Sequence, residues 1–92
     1  MTVFQLVYHH DIPRDIVSIP RNIRDIIRHA IETRLAVDPL HYGVPLRRSL
    51  QGYRKLRVGD YRVIYRISGA TVIVLMIGQR KDVYSRVEKR IS

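Results

Sequence analysis

The sequence predicts an α+β fold: a small antiparallel β-sheet with an N-terminal helical hairpin and a short C-terminal helix, in the order β-α-α-β-β-β-α. Three observations predict it. Apolar residues recur at helical spacing in the first half of the chain, the period switches to two from Gly52 onward, and glycine-containing turns separate the later strands. At 92 residues the chain is read as a single domain spanning positions 1–92, because a second core does not fit.

The segment Phe4-Gln5-Leu6-Val7-Tyr8 has strand-forming residues, and Asp11-Ile12-Pro13 stops it and begins a short helix. After Ile19-Pro20, the residues Ile23, Ile26, Ile27, Ala30, Ile31 and Leu35 form the stripe of an amphipathic helix, with Arg24, Asp25, Arg28 and Glu32 outside it. Asp38-Pro39 ends that helix, and Pro39 to Pro45 reads as a loop. Tyr53 to Val58 and Tyr61 to Ile67 flank Gly59-Asp60, which fits a two-residue hairpin turn and sets Leu56 opposite Val63 and Val58 opposite Tyr61. Those residues, with Tyr65 and Ile67, make the face that packs on the helices. Thr71 to Ile77 is an unbroken apolar run, as expected of a central strand covered on both sides. Gly78 closes it, and Asp82 is expected to cap a last helix through Val83, Val87 and Ile91, with the helices mainly against one face of the sheet.

Charge and composition exclude several classes of function. There is no cysteine, so disulfides, thiolate zinc sites, iron–sulfur clusters and a cysteine nucleophile are ruled out, and a reducing cytoplasmic setting fits. Adjacent His9 and His10 are expected to point to opposite faces of a strand, and His29 and His41 stand apart from them, so no metal or other cofactor is expected. The longest apolar run, Val72 to Ile77, is far short of a membrane span, and no membrane association is expected. The net charge of +9 is asymmetric: residues 1–39 balance five arginines against five acids, whereas residues 40–92 carry twelve basic residues and three acids. That footprint suits a polyphosphate or an acidic protein.

The hairpin places the excess charge on one face. Opposite the core side it carries Tyr53, Lys55, Arg57, Arg62, Ile64 and Arg66, with Arg57 directly across from Arg62. Like charges opposed across two strands repel, by a few tenths up to about 1 kcal/mol, so folding gives no reason for them and an anionic ligand does. A second basic group, Gly78-Gln79-Arg80-Lys81-Asp82-Val83-Tyr84, follows the central strand at a strand-to-helix junction, where rigid scaffolds expose functional side chains.

The stretches Leu50-Gln51-Gly52-Tyr53-Arg54-Lys55-Leu56-Arg57-Val58-Gly59-Asp60-Tyr61-Arg62-Val63-Ile64-Tyr65 and Ile77-Gly78-Gln79-Arg80-Lys81-Asp82-Val83-Tyr84 resemble the RelE/ParE superfamily of bacterial and archaeal toxins, and its RelE branch in particular. The resemblance implies the RelE-like fold and a toxin of a type II toxin–antitoxin system. The activity it implies is that of a ribosome-dependent, metal-independent endoribonuclease, an mRNA interferase that cuts mRNA in the ribosomal A site and so inhibits translation. Its implied partners are the ribosome, the mRNA and a cognate antitoxin bound in a hetero-oligomer. Carried over by position, Lys55 helps deprotonate the ribose 2′-OH that attacks phosphorus, and Arg62 stabilises the charge of the transition state. Arg80 serves the leaving oxygen, and Tyr84 orients or stacks on the nucleotide. Tyr53, Arg57, Arg66 and Lys81 are the flanking candidates for RNA contact. Some members have a lysine at the position of Tyr53 or a histidine at that of Val83. Because a guanidinium stays protonated, Lys55 or Tyr84 must act as the base unless the ribosome or substrate helps. Two other readings stand beside it: a ParE-like protein that keeps the fold and inhibits DNA gyrase by binding, without nuclease chemistry, and a non-catalytic module that binds nucleic acid or an acidic peptide with the same face.

Overall fold

The computed structural model describes residues 3–92. Strand β1 (Gln5–Tyr8) leads into helix α1 (Ile12–Ile16) and helix α2 (Arg21–Ala30), which runs on into a wider π-helical turn over Ile31–Leu35. Helix α3 (Pro39–Tyr42), strand β2 (Val44–Pro45) and a 3₁₀ turn (Arg48–Leu50) follow. Strands β3 (Arg54–Val58), β4 (Tyr61–Ser68) and β5 (Thr71–Gln79) then lead to helix α4 (Val83–Ile91). The five strands lie in the order β1-β5-β4-β3-β2.

The α+β class is the one the sequence predicts, with two differences in the sheet: β2 adds a fifth strand at one edge, and β1 is not antiparallel. The hairpins run antiparallel, but β1 lies parallel to β5, with Gln5 beside Thr71 and Tyr8 beside Val74. Two-residue turns force antiparallel neighbours, whereas the long connection from β1 to β5 leaves direction free. Both turns use glycine at the first central residue, Gly59 and Gly69 at φ 58°, while Asp60 and Ala70 have no positive φ. That pattern is the one a type II′ turn requires.

The hairpin register matches the sequence reading, Leu56 pairing with Val63, Arg57 with Arg62 and Val58 with Tyr61. One face of the sheet packs Leu56, Val63, Tyr65, Val72, Val74 and Ile77 against α1, α2 and the π-helical turn. Ile27, Ala30, Ile31 and Leu35 are buried there, but Ile26 is 55% exposed, because it lies at the margin of the stripe.

The helices do not gather on one face. Helix α4 crosses the other side and closes a second, smaller core of Leu50, Ile64, Leu75 and Met76 under Val83 and Val87. Burying each of those two valines is worth roughly 1.5–3 kcal/mol. A β-bulge makes this possible. Ile64 pairs with Met76 and Tyr65 with Val74, so Leu75 has no ladder partner and joins the second core. Gly78 matters here through space alone: a Cβ would sit 3.1 Å from Val83 Cγ2 and 3.1 Å from Arg86 Nη1, so its absence lets α4 lie close to β5.

The segment read as a loop from Pro39 to Pro45 is partly ordered. Asp38 accepts the His41 N–H at 3.3 Å and starts α3, while Val44 and Pro45 pair with Lys55 and Arg54. Tyr65, fully buried, donates its hydroxyl to the Pro39 carbonyl at 2.6 Å. Asp82 stands at the N-cap of α4 as expected, but its side chain caps no N–H and lies 3.9 Å from Arg86.

Candidate functional site

Lys55, Arg57 and Arg62 project from the same face of β3 and β4, as strand alternation and the register require. The second core alters what surrounds them. Ile64, on that face, is fully buried beneath α4, and Tyr53 and Tyr84 pack against the same cluster. The open cationic surface is therefore smaller than the sequence suggests and lies toward the Gly59–Asp60 turn.

Within it, Lys55 Nζ lies 5.5 Å from the centroid of the Tyr84 ring, a cation–π contact joining β3 to α4. Arg62 is only 8% exposed. It curls over the turn, and its Nη1 donates to the carbonyls of Gly59 at 3.0 Å and Tyr61 at 2.9 Å. Lys55, Arg57 and Arg62 line one cavity of about 410 Å³, together with Arg34, Tyr42, Val44 and Leu56.

Arg80 does not line that cavity. It borders a separate one of about 300 Å³ with Asp60, Tyr61, Gln79 and Lys81, and its N–H donates to the Asp60 carbonyl at 2.9 Å. Among the described residues the two cavities share no lining residue; only that of Arg80 includes a residue of the Gly59–Asp60 turn. Arg66 is exposed farther along β4, beside Ile73 in the ladder. The structure accordingly brings Lys55, Arg57, Arg62 and Tyr84 together, sets Arg80 and Lys81 next door, and leaves Arg66 apart.

Pairing separates structural arginines from free ones. Asp15 is buried, with 1% of its side chain exposed. It accepts Arg90 Nη1 at 2.8 Å and Arg90 Nη2 at 2.9 Å, the Ile77 N–H at 3.1 Å, and Arg86 Nη2 at 3.5 Å. Arg90 Nη1 also reaches the carbonyl of the bulged Leu75 at 2.7 Å. Arg54 Nη2 binds the carbonyls of Leu40 at 2.9 Å and Gly43 at 2.8 Å. By contrast, Lys55, Arg57, Arg66, Arg80 and Lys81 have no acidic partner within 4.0 Å among the described residues, and neither has Arg62, although two carbonyls hold it as they hold Arg54. A set of unpaired cations on one face is the arrangement that an anionic backbone neutralises.

His9 and His10 do not point apart as a strand would have them, because they follow β1 in a turn and their rings stack at 4.2 Å and 24°. With Asp11 they place ligating atoms within 4.8 Å of one another. The stacked rings hold their in-plane lone pairs side by side rather than converging, and His9 Nδ1 already accepts the Asp11 N–H at 3.1 Å.

Sequence reasoning missed Arg34 and Tyr42. Arg34 sits on the outer side of the π-helical turn and Tyr42 in a segment read as loop. The available signal was an aromatic residue between two prolines with no apolar periodicity to bury it.

The chain belongs to the RelE/ParE superfamily of toxins: residues 6–84 match the model of the family described as the ParE toxin of type II toxin-antitoxin system, parDE. It is similar to Toxin RelG of Mycobacterium tuberculosis (strain ATCC 25618 / H37Rv), with 37% identity over 75 residues that make up 79% of this chain and 86% of that protein. A solved toxin–antitoxin complex, RelBE2 from Mycobacterium tuberculosis, contains a chain 32% identical with a TM-score of 0.80, the match covering 89% of this chain and 97% of that one. The archaeal RelE–RelB complex from Pyrococcus horikoshii OT3 shares the fold, at 18% identity and TM-score 0.68, over 86% of this chain and 97% of that one.

Proposed function

We propose that this toxin is a ribosome-dependent endoribonuclease that cuts mRNA in the A site and inhibits translation. The observation that carries the reading is the junction of Lys55 with Tyr84 beside Arg57 and Arg62, four side chains from three elements, none of the cations paired with an acid among the described residues. In this reading the nucleotide at the scissile bond packs beside Tyr84, and Lys55, acting as the neutral amine, takes the 2′-OH proton. The oxygen then attacks the adjacent phosphorus. Arg62, held in place by two carbonyls, stabilises the charge that develops on the phosphoryl oxygens, and Arg80 meets the departing 5′-oxygen from the neighbouring cavity. Tyr53, Arg57, Arg66 and Lys81 hold the flanking backbone.

The cognate antitoxin is the second partner. Its seat in this reading is the apolar groove of about 250 Å³ lined by Tyr8, Ile12, Ile16, Ile27 and Ile31 and rimmed by Arg24 and Arg28. Two arginines against one acid, Glu32, around an apolar floor suit an amphipathic acidic segment. The cytoplasm, where ribosomes and transcripts are, is the setting.

The test is 5′-end mapping of mRNA on programmed ribosomes. Cuts confined to the A-site codon are expected, abolished in Lys55→Ala and Tyr84→Ala proteins that still melt cooperatively. Intact mRNA at saturating toxin would reject the reading. A ParE-like gyrase inhibitor without nuclease chemistry is the alternative, and it predicts DNA damage with whole transcripts.

A further inference from the structure

The cavity shared by Lys55, Arg57 and Arg62 extends to a part of the molecule that the nuclease reading does not use. Strand β2 is two residues long and antiparallel to β3, beginning at Val44 opposite Lys55, so among the described residues the edge of β3 from Leu56 onward has no neighbouring strand. The cavity opens along this free edge, and Arg34 and Tyr42 reach it from the helical layer. Its volume of about 410 Å³ lies within the range of ligand clefts.

Among the described residues its lining contains four cations, Arg34, Lys55, Arg57 and Arg62, and no acid. It also contains one aromatic ring that the core does not need: Tyr42 is 47% exposed, with the Arg34 guanidinium 6.0 Å from its ring centroid and His41 edge-on at 5.2 Å. Yet the segment carrying Tyr42 is firmly held. Arg54 bonds the carbonyls of Leu40 and Gly43 on either side of it, and Gly43 packs directly against Tyr65. A fixed backbone presenting an exposed ring beside unpaired cations is a stacking platform with its phosphate ligands in place. An acidic peptide would satisfy the charges as well, so its competition with RNA is an arm of the experiment.

We propose that this cavity is a second nucleotide subsite, in which Tyr42 stacks on a base and Arg34 and Arg57 hold its phosphate. Lys55 belongs both to this cavity and to the contact with Tyr84, so one RNA strand can lay successive nucleotides on the two rings with a phosphate passing over the lysine. The proposal rests on the RNA-cleaving reading for the identity of the strand, but binding does not require cleavage.

The experiment measures fluorescence anisotropy of a short single-stranded RNA, 2′-O-methylated throughout so that it cannot be cut, against the full-length toxin. Tyr42→Ala is expected to weaken binding about tenfold, the loss of one stacked base, without changing the salt slope, and Tyr42→Phe to bind within about twofold of the parent. Arg34→Ala is expected to weaken binding and to reduce the slope of log K against log salt by roughly one. Thermal melting checks that the variants are folded, as expected for exposed positions. Unchanged affinity in a folded Tyr42→Ala protein overturns the subsite. So does displacement of the RNA by poly-glutamate with equal ease from the parent and from Tyr42→Ala, which would mark a peptide-binding face. If the parent leaves ribosome-bound mRNA whole while Tyr42→Ala still loses affinity, the nuclease reading falls and the subsite stands. The opposite pattern, normal cleavage and unchanged binding, removes the subsite alone.

Discussion

Asp15 ties three elements together, and its removal tests whether that tie sets the position of α4. In an Asp15→Ala protein the Arg90 guanidinium, whose side chain is 12% exposed, keeps its charge and loses both bonds to the carboxylate, and the Ile77 N–H is left without an acceptor. Breaking one side of a buried ion pair costs about 3–5 kcal/mol. A domain of this length is stable by about 5–14 kcal/mol in all, so the loss is a large share. Urea unfolding should show the midpoint falling with the m-value unchanged, and melting should drop by roughly 12–40 °C at about 4–8 °C per kcal/mol. Arg90→Met should cost a comparable amount, because the more deeply buried Asp15 carboxylate then keeps only Arg86 at 3.5 Å and the Ile77 N–H, and the Leu75 carbonyl loses a donor. In the double variant the two losses should fall short of their sum by about 1–3 kcal/mol, and α4 amides should exchange faster with solvent in each. Additive losses within about 0.5 kcal/mol, with α4 exchange unchanged, would refute the coupling of α1 to α4 through this pair.

Three further outcomes follow from the structure. Gly43→Ala should destabilise by about 1–3 kcal/mol in chemical denaturation, since a Cβ there overlaps Tyr65 Oη and comes 2.6 Å from Cζ; adding Tyr65→Phe should recover part of this but not all. Burial raises the Tyr65 hydroxyl above its ordinary value of 10.0, with Arg54 opposing, and burial with Glu32 raises that of Tyr8. A raised folded value means that the contribution to stability is full below pH 10 and is lost as pH climbs toward the folded value. Unfolding midpoints should therefore decline above pH 10, and less steeply in Tyr65→Phe. Arg57→Gln removes the repulsion across from Arg62, so it should gain a few tenths up to about 1 kcal/mol in thermal or urea melts while weakening RNA binding, and a gain in stability without that loss would make Arg57 irrelevant to binding.

Much of this was legible in the residues themselves. The Gly59-Asp60 turn and the alternation on either side determine the hairpin register, and with it the shared face of Lys55, Arg57 and Arg62 and their opposition across β3 and β4. The isoleucine spacing of α2 and the apolar run of β5 determine which surfaces are buried, since both follow from local period and from the need to remove apolar area from water. Tertiary structure alone decided what has no local code. It laid β1 parallel to β5, bulged β5 at Leu75, and carried α4 to the face opposite α2. It therefore also decided that Tyr84 lies under Lys55, that Arg80 borders a different cavity from Arg62, and that Arg34 and Tyr42 reach the basic face around an open strand edge. Contacts between residues dozens of positions apart depend on how whole layers pack, and neighbouring residues carry no record of that packing.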